Sequence, residues 1–258
     1  DRMAGQTGSK PYLPTLYPGR SGPGVVLIFD KHGQIVQDDA LPGLCWADGI
    51  GMDAKDDLYV LVAAPGVIDG KPHPNGASET LIKCRPGVTR FISTHGSQAP
   101  LDVEARPRRP ADLTRYGVGQ VWVENAEWTY GGIGWGGLGG SCVCWHCRFA
   151  LDDFARSFAP ETDRYSVAVL DSNGNLILRI GKYGNVDDGV PLDSKGGVPN
   201  PRSIGGDEVA LFYCAYPGVQ TDRRLFLSDT GNGRILSVKL DYTAEERTAL
   251  KDVKDEKK

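Results

Sequence analysis

Short apolar runs separated by regular turn signals dominate the hydrophobic pattern of the chain. Residues 25–36 (VVLIFDKHGQIV) and 166–178 (SVAVLDSNGNLIL) repeat one design, in which an Asp-x-x-Gly turn begins at Asp30 and at Asp171. An Asp side chain can cap its own turn, and Gly accepts the positive φ angle that closes it. The pattern therefore predicts a β-hairpin at each place.

A second apolar strand recurs along the chain with its own turn chemistry. It appears in residues 49–63 (GIGMDAKDDLYVLVA), in 119–128 (GQVWVENAEW) and in 223–242 (RRLFLSDTGNGRILSVKLDY). Strands of about five residues with turns about every 8–12 residues are typical of an antiparallel all-β fold. Self-similarity at a blade-sized period favours a β-propeller over a β-sandwich.

The last of these segments resembles the NHL repeat. That repeat reads as an apolar strand, then Asp-x-x-Asn-x-Arg-Ile, then another strand, and Asp229, Asn232, Arg234 and Ile235 fall on this pattern. The run at 147–189 also resembles uncharacterised secreted propeller proteins of environmental bacteria. These resemblances imply a propeller fold and bring no activity with them.

The predicted domain organisation is one propeller followed by a tail. Residues 1–242 are assigned to a β-propeller of about five or six four-stranded blades, possibly incomplete. Residues 128–147 are assigned to a Gly/Cys-rich insertion between blades. Residues 243–258 form a charged C-terminal tail, read as a short helix or a frayed end.

The blades are predicted in chain order. Residues 25–36 supply the outer half of a blade, 49–93 a full blade with ETLIKC and VTRFIS as its outer pair, and 111–128 the start of a third. Residues 147–185 fill a fourth blade and 203–242 most of a fifth. Because an open ring exposes strand edges, either the last strands complete the opening half-blade or further blades precede this chain.

Composition and charge exclude several classes of protein. With 34 Gly and 17 Pro among 258 residues, the chain is expected to contain many turns and few long helices. The net charge of −4 argues against a nucleic-acid binder, whose mark is a concentrated basic face. No apolar run approaches the roughly 18 residues that a membrane-spanning helix needs.

Cysteine content and the first residue bear on localisation. The chain begins with Asp1 and shows no signal peptide, so we expect a processed mature chain or a piece of a longer one. Six cysteines are more than a cytosolic protein usually carries without a use for them. We therefore expect a secreted, periplasmic or cell-surface protein.

The most closely spaced group of candidate ligands is a C-x-C-x-x-C cluster that follows a glycine-rich stretch. Cys142, Cys144 and Cys147, with His146 or a distant cysteine as the fourth ligand, would suit Zn²⁺, Cu(I) or an iron–sulfur centre. Haem c is disfavoured, because Arg148 rather than histidine follows the last cysteine and His146 sits inside the pair.

Two other states of the cysteines stay open. In an exported chain the six cysteines can form up to three disulfides. These would staple the glycine-rich loop, which needs its glycines for tight backbone turns. Free or mixed thiols are the third alternative.

Aromatic and acidic side chains crowd the segment before the cysteines. Trp128, Tyr130 and Trp135 can form a platform for a sugar or a protein, or pack as core between blades. Glu124 and Glu127 are candidate binding residues beside them. These two, together with Asp152 and Asp153, could bind Ca²⁺ or act as an acid/base pair, although loop carboxylates are usually solvated.

Three functions follow from these features. We favour a secreted propeller that acts as a binding or structural module, part of a larger extracellular assembly, with a protein partner or a second copy of itself. The first alternative is a propeller that carries a metal or redox centre on the cysteine cluster. The second is a lactonase- or lyase-like propeller enzyme. Fold alone does not choose among them.

Overall fold

The computed structural model describes residues 25–44, 47–93, 107–115, 119–134, 147–184 and 209–240, and within these ranges the chain is all-β. The described strands, numbered in chain order, are β1 (Ile28–Phe29), β2 (Ile35–Gln37), β3 (Ala47–Met52), β4 (Leu58–Val62), β5 (Val67–Ile68), β6 (Lys71–Pro72), β7 (Glu79–Cys84), β8 (Arg90–Ser93), β9 (Leu113–Arg115), β10 (Gly119–Glu124), β11 (Ala126–Ile133), β12 (Ala150–Leu151), β13 (Ser157–Glu161), β14 (Ser166–Leu170), β15 (Leu176–Ile180), β16 (Lys182–Tyr183), β17 (Ala210–Leu211), β18 (Cys214–Gln220), β19 (Arg224–Asp229) and β20 (Arg234–Lys239). None of the described residues forms a helix long and apolar enough to cross a membrane.

Four sheets of three or four strands carry the architecture. We call them the β8 sheet (order β8-β10-β9), the N-terminal sheet (β11-β7-β4-β3), the central sheet (β12-β13-β14-β15) and the C-terminal sheet (β18-β19-β20). Their strands pair antiparallel throughout. The pairs β1-β2, β5-β6 and β16-β17 form small two-stranded sheets, of which β16-β17 is parallel.

One turn chemistry joins many of these strands. Asp30, Asp53, Asp152 and Asp171 each accept, through Oδ1, the backbone N–H groups two and four residues later. The third residue after each Asp has positive φ. The hairpin turns predicted at Asp30 and Asp171 are confirmed. Asp152, a sequence candidate for binding calcium or for acid/base catalysis, lies in such a turn, and its Oδ2 accepts from Arg156 Nε at 2.7 Å.

The four sheets pack face to face in series, because their inner strands are apolar on both faces. One face of β4 packs with the β8 sheet, through Leu58, Val60 and Val62, and the other packs with the central sheet, through Tyr59 and Leu61. The opposite face of the central sheet shares a buried cluster with the C-terminal sheet. Continuous apolar runs such as Leu58–Val62 thus mark strands buried on both sides.

The strand pairing differs from the predicted blades in two respects. Residues 128–133 of the predicted 128–147 insertion belong to β11, which pairs with β7 in the N-terminal sheet. The second difference concerns the partners of β7 and β8. Sequence order suggested that ETLIKC (β7) and VTRFIS (which contains β8) form one outer pair. In the structure β7 pairs with β4 and β11, whereas β8 pairs with β10 in a separate sheet. The predicted four-stranded unit within 147–185 is confirmed by β12 to β15. The predicted tail, 243–258, lies outside the described residues.

A buried ion-pair cluster joins the N-terminal and central sheets. Lys83 Nζ lies 3.0 Å from Asp57 Oδ2 and 3.6 Å from Asp53 Oδ2, and it donates to the Ser172 carbonyl at 3.4 Å. The Tyr59 hydroxyl donates to Asp53 Oδ2 at 3.1 Å. The Lys83 side chain is 9% exposed and that of Asp53 is 3% exposed, so water screens these charges poorly.

This cluster predicts an acid-dependent loss of stability. Burial alone would raise the pKa of Asp53, but N–H donors from Lys55 and Asp57, with Tyr59 and Lys83, lower it below its ordinary 3.8. A depressed folded pKa contributes stability that is complete above 3.8 and is lost as the pH falls through the folded value. Urea unfolding across this window should show a shallower pH slope in Asp53→Asn than in the wild type. Equal slopes in the two proteins would contradict the prediction.

Candidate functional site

Much of the predicted cysteine site lies outside the described residues. Cys142, Cys144, His146 and Trp135 are in this part of the chain, so their proposed roles stay predictions. Cys147 is described and fully buried. Its Sγ donates to the Cys214 carbonyl at 3.7 Å and lies 3.8 Å from the Tyr213 hydroxyl.

The described thiols do not support the predicted disulfides. No disulfide joins cysteines within the described residues, where Cys84 and Cys214 are buried free thiols. Burial raises the pKa of Cys84 to about 12 and also raises that of Cys214, so both stay protonated at neutral pH. In the described ranges, no group of three His, Cys, Asp or Glu residues is arranged to hold a metal ion.

The two predicted binding glutamates lie in ion pairs at the surface. Glu124 Oε2 accepts from Arg90 Nε at 2.6 Å, across the β8-β10 pair. Glu127 Oε1 lies 2.8 Å from Arg85 Nε. Exposed pairs of this kind contribute little to stability. Neither glutamate lines the pocket that Tyr130 lines, which is described below.

Trp128 packs between sheets. Its indole N–H donates to the Ser172 carbonyl at 3.0 Å, and its ring meets Tyr59 edge-on with centroids 5.7 Å apart. Gly174, at φ +82°, lies under the indole, where a Cβ would come within 2.6 Å of the ring. This contact joins the hairpin turn of the central sheet to β11.

Tyr130, two residues further along β11, faces a different environment. It lines a pocket of about 560 Å³ enclosed by the β5-β6 hairpin with the loop after it, by β11, and by the turn that follows β13. We call this the polar pocket, because Tyr130 shares its wall with His73, Glu161, Arg164 and Arg179. Of the described binding candidates, Tyr130 alone lines it.

A buried carboxylate organises the wall of the polar pocket. The residue is Glu161, 3% exposed, at the end of β13. The Tyr130 hydroxyl donates to its Oε1 at 2.8 Å. Arg179 reaches across from β15 and donates through Nε to Oε2 at 2.5 Å and through Nη2 to Oε1 at 3.1 Å. Arg164 Nε lies 3.8 Å from Oε1. One carboxylate therefore fixes two side chains from different sheets.

The electrostatics of this wall set the role of Tyr130. Burial, and then the neighbouring Glu161 carboxylate, raises the pKa of Tyr130 to about 12. Its hydroxyl is therefore protonated at neutral pH and serves as a hydrogen-bond donor, not as a base. The pKa of Arg179 is raised by its bond to Glu161, so the guanidinium keeps its charge.

His73 is held in one orientation at the other side of the pocket. Its Nδ1 accepts the backbone N–H of Asn75 at 3.2 Å and lies 3.4 Å from Ser78 Oγ. A neutral imidazole with an accepting Nδ1 carries its proton on Nε2. The ring lies against Gly132, at φ +86°, where a Cβ would come within 2.9 Å of Nε2, so this position requires glycine.

Glu161 occupies the same structural position as Asp229 of the NHL-like motif. Each acid ends a strand, β13 or β19, and is followed by a 3-10 turn (Thr162–Arg164 or Thr230–Asn232) whose last hydrogen bond closes on a residue with positive φ. The sequence analysis did not single out Glu161 or Arg179. Aligning ETDRYS (161–166) with DTGNGR (229–234) would have pointed to Glu161.

Comparisons with known proteins identify no family. No protein-family model matches the chain, and no curated protein matches its sequence. Among solved structures, virginiamycin B lyase from Staphylococcus aureus, a catalytically inactive variant with quinupristin, shows a TM-score of 0.32 and 11% identity, covering 84% of this chain and 49% of that one. A second structure of this lyase gives 0.31 and 8%, covering 84% and 60%. A protein of unknown function from Bacteroides caccae gives 0.28 and 11%, covering 84% and 71%.

This chain spans less than two thirds of the length of the two lyase chains it matches. At these TM-scores the likeness carries no argument about activity. The resemblance to the NHL repeat and the expected secretion stay predictions.

Proposed function

We propose that this chain is a β-propeller-like binding module that holds part of a partner molecule in the polar pocket. The observation that carries the proposal is the buried carboxylate of Glu161, which fixes Tyr130 and Arg179 in the wall of a pocket of about 560 Å³. Ligand pockets commonly have volumes of about 300–1,000 Å³ and orient their ligands through a few fixed polar groups.

The propeller architecture is part of this proposal. Four sheets packed face to face in series, each sharing a core with the next, are the neighbour relation of propeller blades. In such a stack the inner strands are buried on both faces, so loops and strand ends supply the binding groups. The polar pocket lies at such strand ends, between the N-terminal and central sheets.

The pocket chemistry favours binding over proton transfer. Tyr130 holds its proton at neutral pH, because burial raises its pKa to about 12. Glu161 accepts hydrogen bonds from both Tyr130 and Arg179, so its oxygens already have partners. Side chains that are fixed by hydrogen bonds to one another in this way can orient a ligand. The metal or redox centre and the lactonase- or lyase-like enzyme stay predictions.

A pocket-filling variant tests the proposed function. Ile68 lines the pocket and is 62% exposed, so Ile68→Trp should obstruct the pocket while leaving the core intact. The matched control is Ile50→Trp, at a 56% exposed position of β3 outside the pocket. We expect arrays of glycans and peptides to show binders of the wild type that are lost in Ile68→Trp and kept in Ile50→Trp. Equal binding by the two variants would place the binding surface elsewhere.

A further inference from the structure

We infer that the ligand of the polar pocket presents a carboxylate group, and that Arg179 is the side chain that binds it; this inference rests on the proposed function. A carboxylate accepts charge-assisted hydrogen bonds from a guanidinium, and a guanidinium whose plane is fixed orients these bonds better than a flexible lysine ammonium. The pocket must then hold an arginine with a fixed plane and with N–H groups that the described residues leave available. Arg179 meets both requirements.

Glu161 fixes one edge of the Arg179 guanidinium. That edge is formed by Nε and Nη2, which donate to the two carboxylate oxygens at 2.5 and 3.1 Å. Nη2 also donates to the Tyr130 hydroxyl at 3.3 Å. Nη1, at the other end of the planar fork, donates to none of the described residues, so its N–H groups can donate to a ligand carboxylate. Since the plane is already set, a ligand that binds Nη1 loses little side-chain entropy.

The charges around Glu161 favour a singly charged ligand. Glu161 lies 2.5 Å from Arg179 and 3.8 Å from Arg164. Asp112 is already bonded through both oxygens to Arg109 Nη1, at 2.7 Å each. Asp163 and Arg164 are both exposed, so solvent screens both charges. Because no strong excess of positive charge is left, a singly charged carboxylate suits the pocket better than a phosphate dianion.

His73 adds an N–H donor to the same pocket. Because its Nδ1 accepts from the Asn75 backbone, its proton is on Nε2, on the side of Gly132. An N–H donor and a guanidinium edge in one pocket can bind a carboxylate and a neighbouring hydroxyl or carbonyl oxygen of the same ligand. Both uronic-acid glycans and acidic peptides carry such pairs of groups.

Isothermal titration calorimetry with two pairs of probes tests the inference and separates these two sources. The glycan pair is trigalacturonate and its methyl ester, and the peptide pair is N-acetylated, C-amidated triglutamate and triglutamine. We expect one acidic probe to bind at least about tenfold more tightly than its uncharged form, since charge-assisted hydrogen bonds are about twice as strong as neutral ones. Binding of the glycan acid indicates a polysaccharide ligand, and binding of the peptide acid indicates a protein partner.

Variants of the two arginines assign the contact. Arg179→Met should weaken binding of the acidic probe about tenfold or more, and Arg179→Lys, which keeps a cation near Glu161, should weaken it by a smaller factor. Arg164→Gln should cost only a few-fold, because this side chain is largely exposed. The control Arg224→Met removes a surface arginine paired with Asp222 and should leave affinity unchanged. If Arg179→Met does not fold, Arg179→Lys and Arg164→Gln still decide the outcome.

Each remaining outcome overturns the inference. Equal binding of an acid and its uncharged form, or unchanged acid binding in Arg179→Lys and Arg179→Met, removes the carboxylate contact but leaves the polar pocket as a binding site. Failure of both acids to bind at millimolar concentration also overturns it. The comparison of Ile68→Trp with Ile50→Trp then decides separately whether the proposed function stands.

Discussion

Replacing Asp229 with alanine is expected to destabilise the fold by about 3–5 kcal/mol, the usual cost of removing one partner from a buried, hydrogen-bonded charge pair. Asp229 is fully buried. Its Oδ1 accepts the backbone N–H groups of Phe212 and Tyr213 at 3.1 and 3.0 Å. Its Oδ2 accepts from Asn232 Nδ2 at 2.6 Å and from Arg234 Nε at 3.2 Å. The substitution removes the acceptor of all four bonds and leaves Arg234, 22% exposed, without its carboxylate.

Urea unfolding of Asp229→Ala beside Asp222→Ala measures this effect. Asp222 is a surface acid whose side chain is 53% exposed and lies 3.3 Å from Arg224, so its loss should cost less than about 1 kcal/mol. Both acids belong to the same hairpin region, and only Asp229 is buried. Similar midpoints for the two variants would show that the motif acid contributes no more than an exposed ion pair.

The local part of this fold can be predicted from the sequence. The turns at Asp30 and Asp171 depend on bonds between residues two and four apart, so the Asp-x-x-Gly signal contains nearly all the information. The NHL-like residues Asp229, Asn232 and Arg234 likewise contact one another within a span of six residues. Such short-range patterns predict the correct turns, because the chain itself holds hydrogen-bond partners that are only a few residues apart close together.

The pairing of distant strands could not be predicted in the same way. Strand β7 is buried at every position, so its pattern does not reveal which strand lies on either side. Chain order suggested β8 as its partner, yet β11 takes that place after an excursion of more than forty residues. Alternation of apolar and polar residues identifies which face of a strand is buried. A continuous apolar run shows that both faces are buried, and it gives no direct information about which strands lie beside it.

The candidate site was found only in part for the same reason. Tyr130 stood out as one aromatic among several, but its hydrogen-bond partner Glu161 is 31 residues away. Arg179 is a further 18 residues from Glu161 and lies in an otherwise apolar exposed strand. The motif at Glu161 can be recognised only by comparison with the motif at Asp229. Arg164 stands where the NHL-like turn has Asn232, and Ser166 stands where it has Arg234.

That replacement changes what the acid does. At Asp229 the partners come from its own turn and from the loop before β18, so the acid closes one sheet on itself. At Glu161 the partners are Tyr130 of the N-terminal sheet and Arg179 of the central sheet. The second acid therefore connects two sheets, and the pocket lies at the place where it does so.

Glu161→Gln is accordingly expected to change both stability and binding. Glutamine keeps one acceptor oxygen but has no charge for Arg179, so we expect a destabilisation of about 2–4 kcal/mol in urea unfolding. The matched control, Glu124→Gln, removes the charge of an exposed pair with Arg90 and should cost less than about 1 kcal/mol.

The effect on binding separates positioning from mere stability. Glu161 fixes the plane of Arg179 without having to touch the ligand. The loss of its charge should therefore weaken binding of the acidic probe several-fold, even at temperatures where Glu161→Gln is fully folded. Glu161→Gln also removes a negative charge from the pocket, which by itself would strengthen binding of an anion. Weaker binding of the acidic probe therefore means that the lost orientation of Arg179 outweighs the more positive charge of the pocket. Tighter binding of the probe would show that Glu161 serves stability alone.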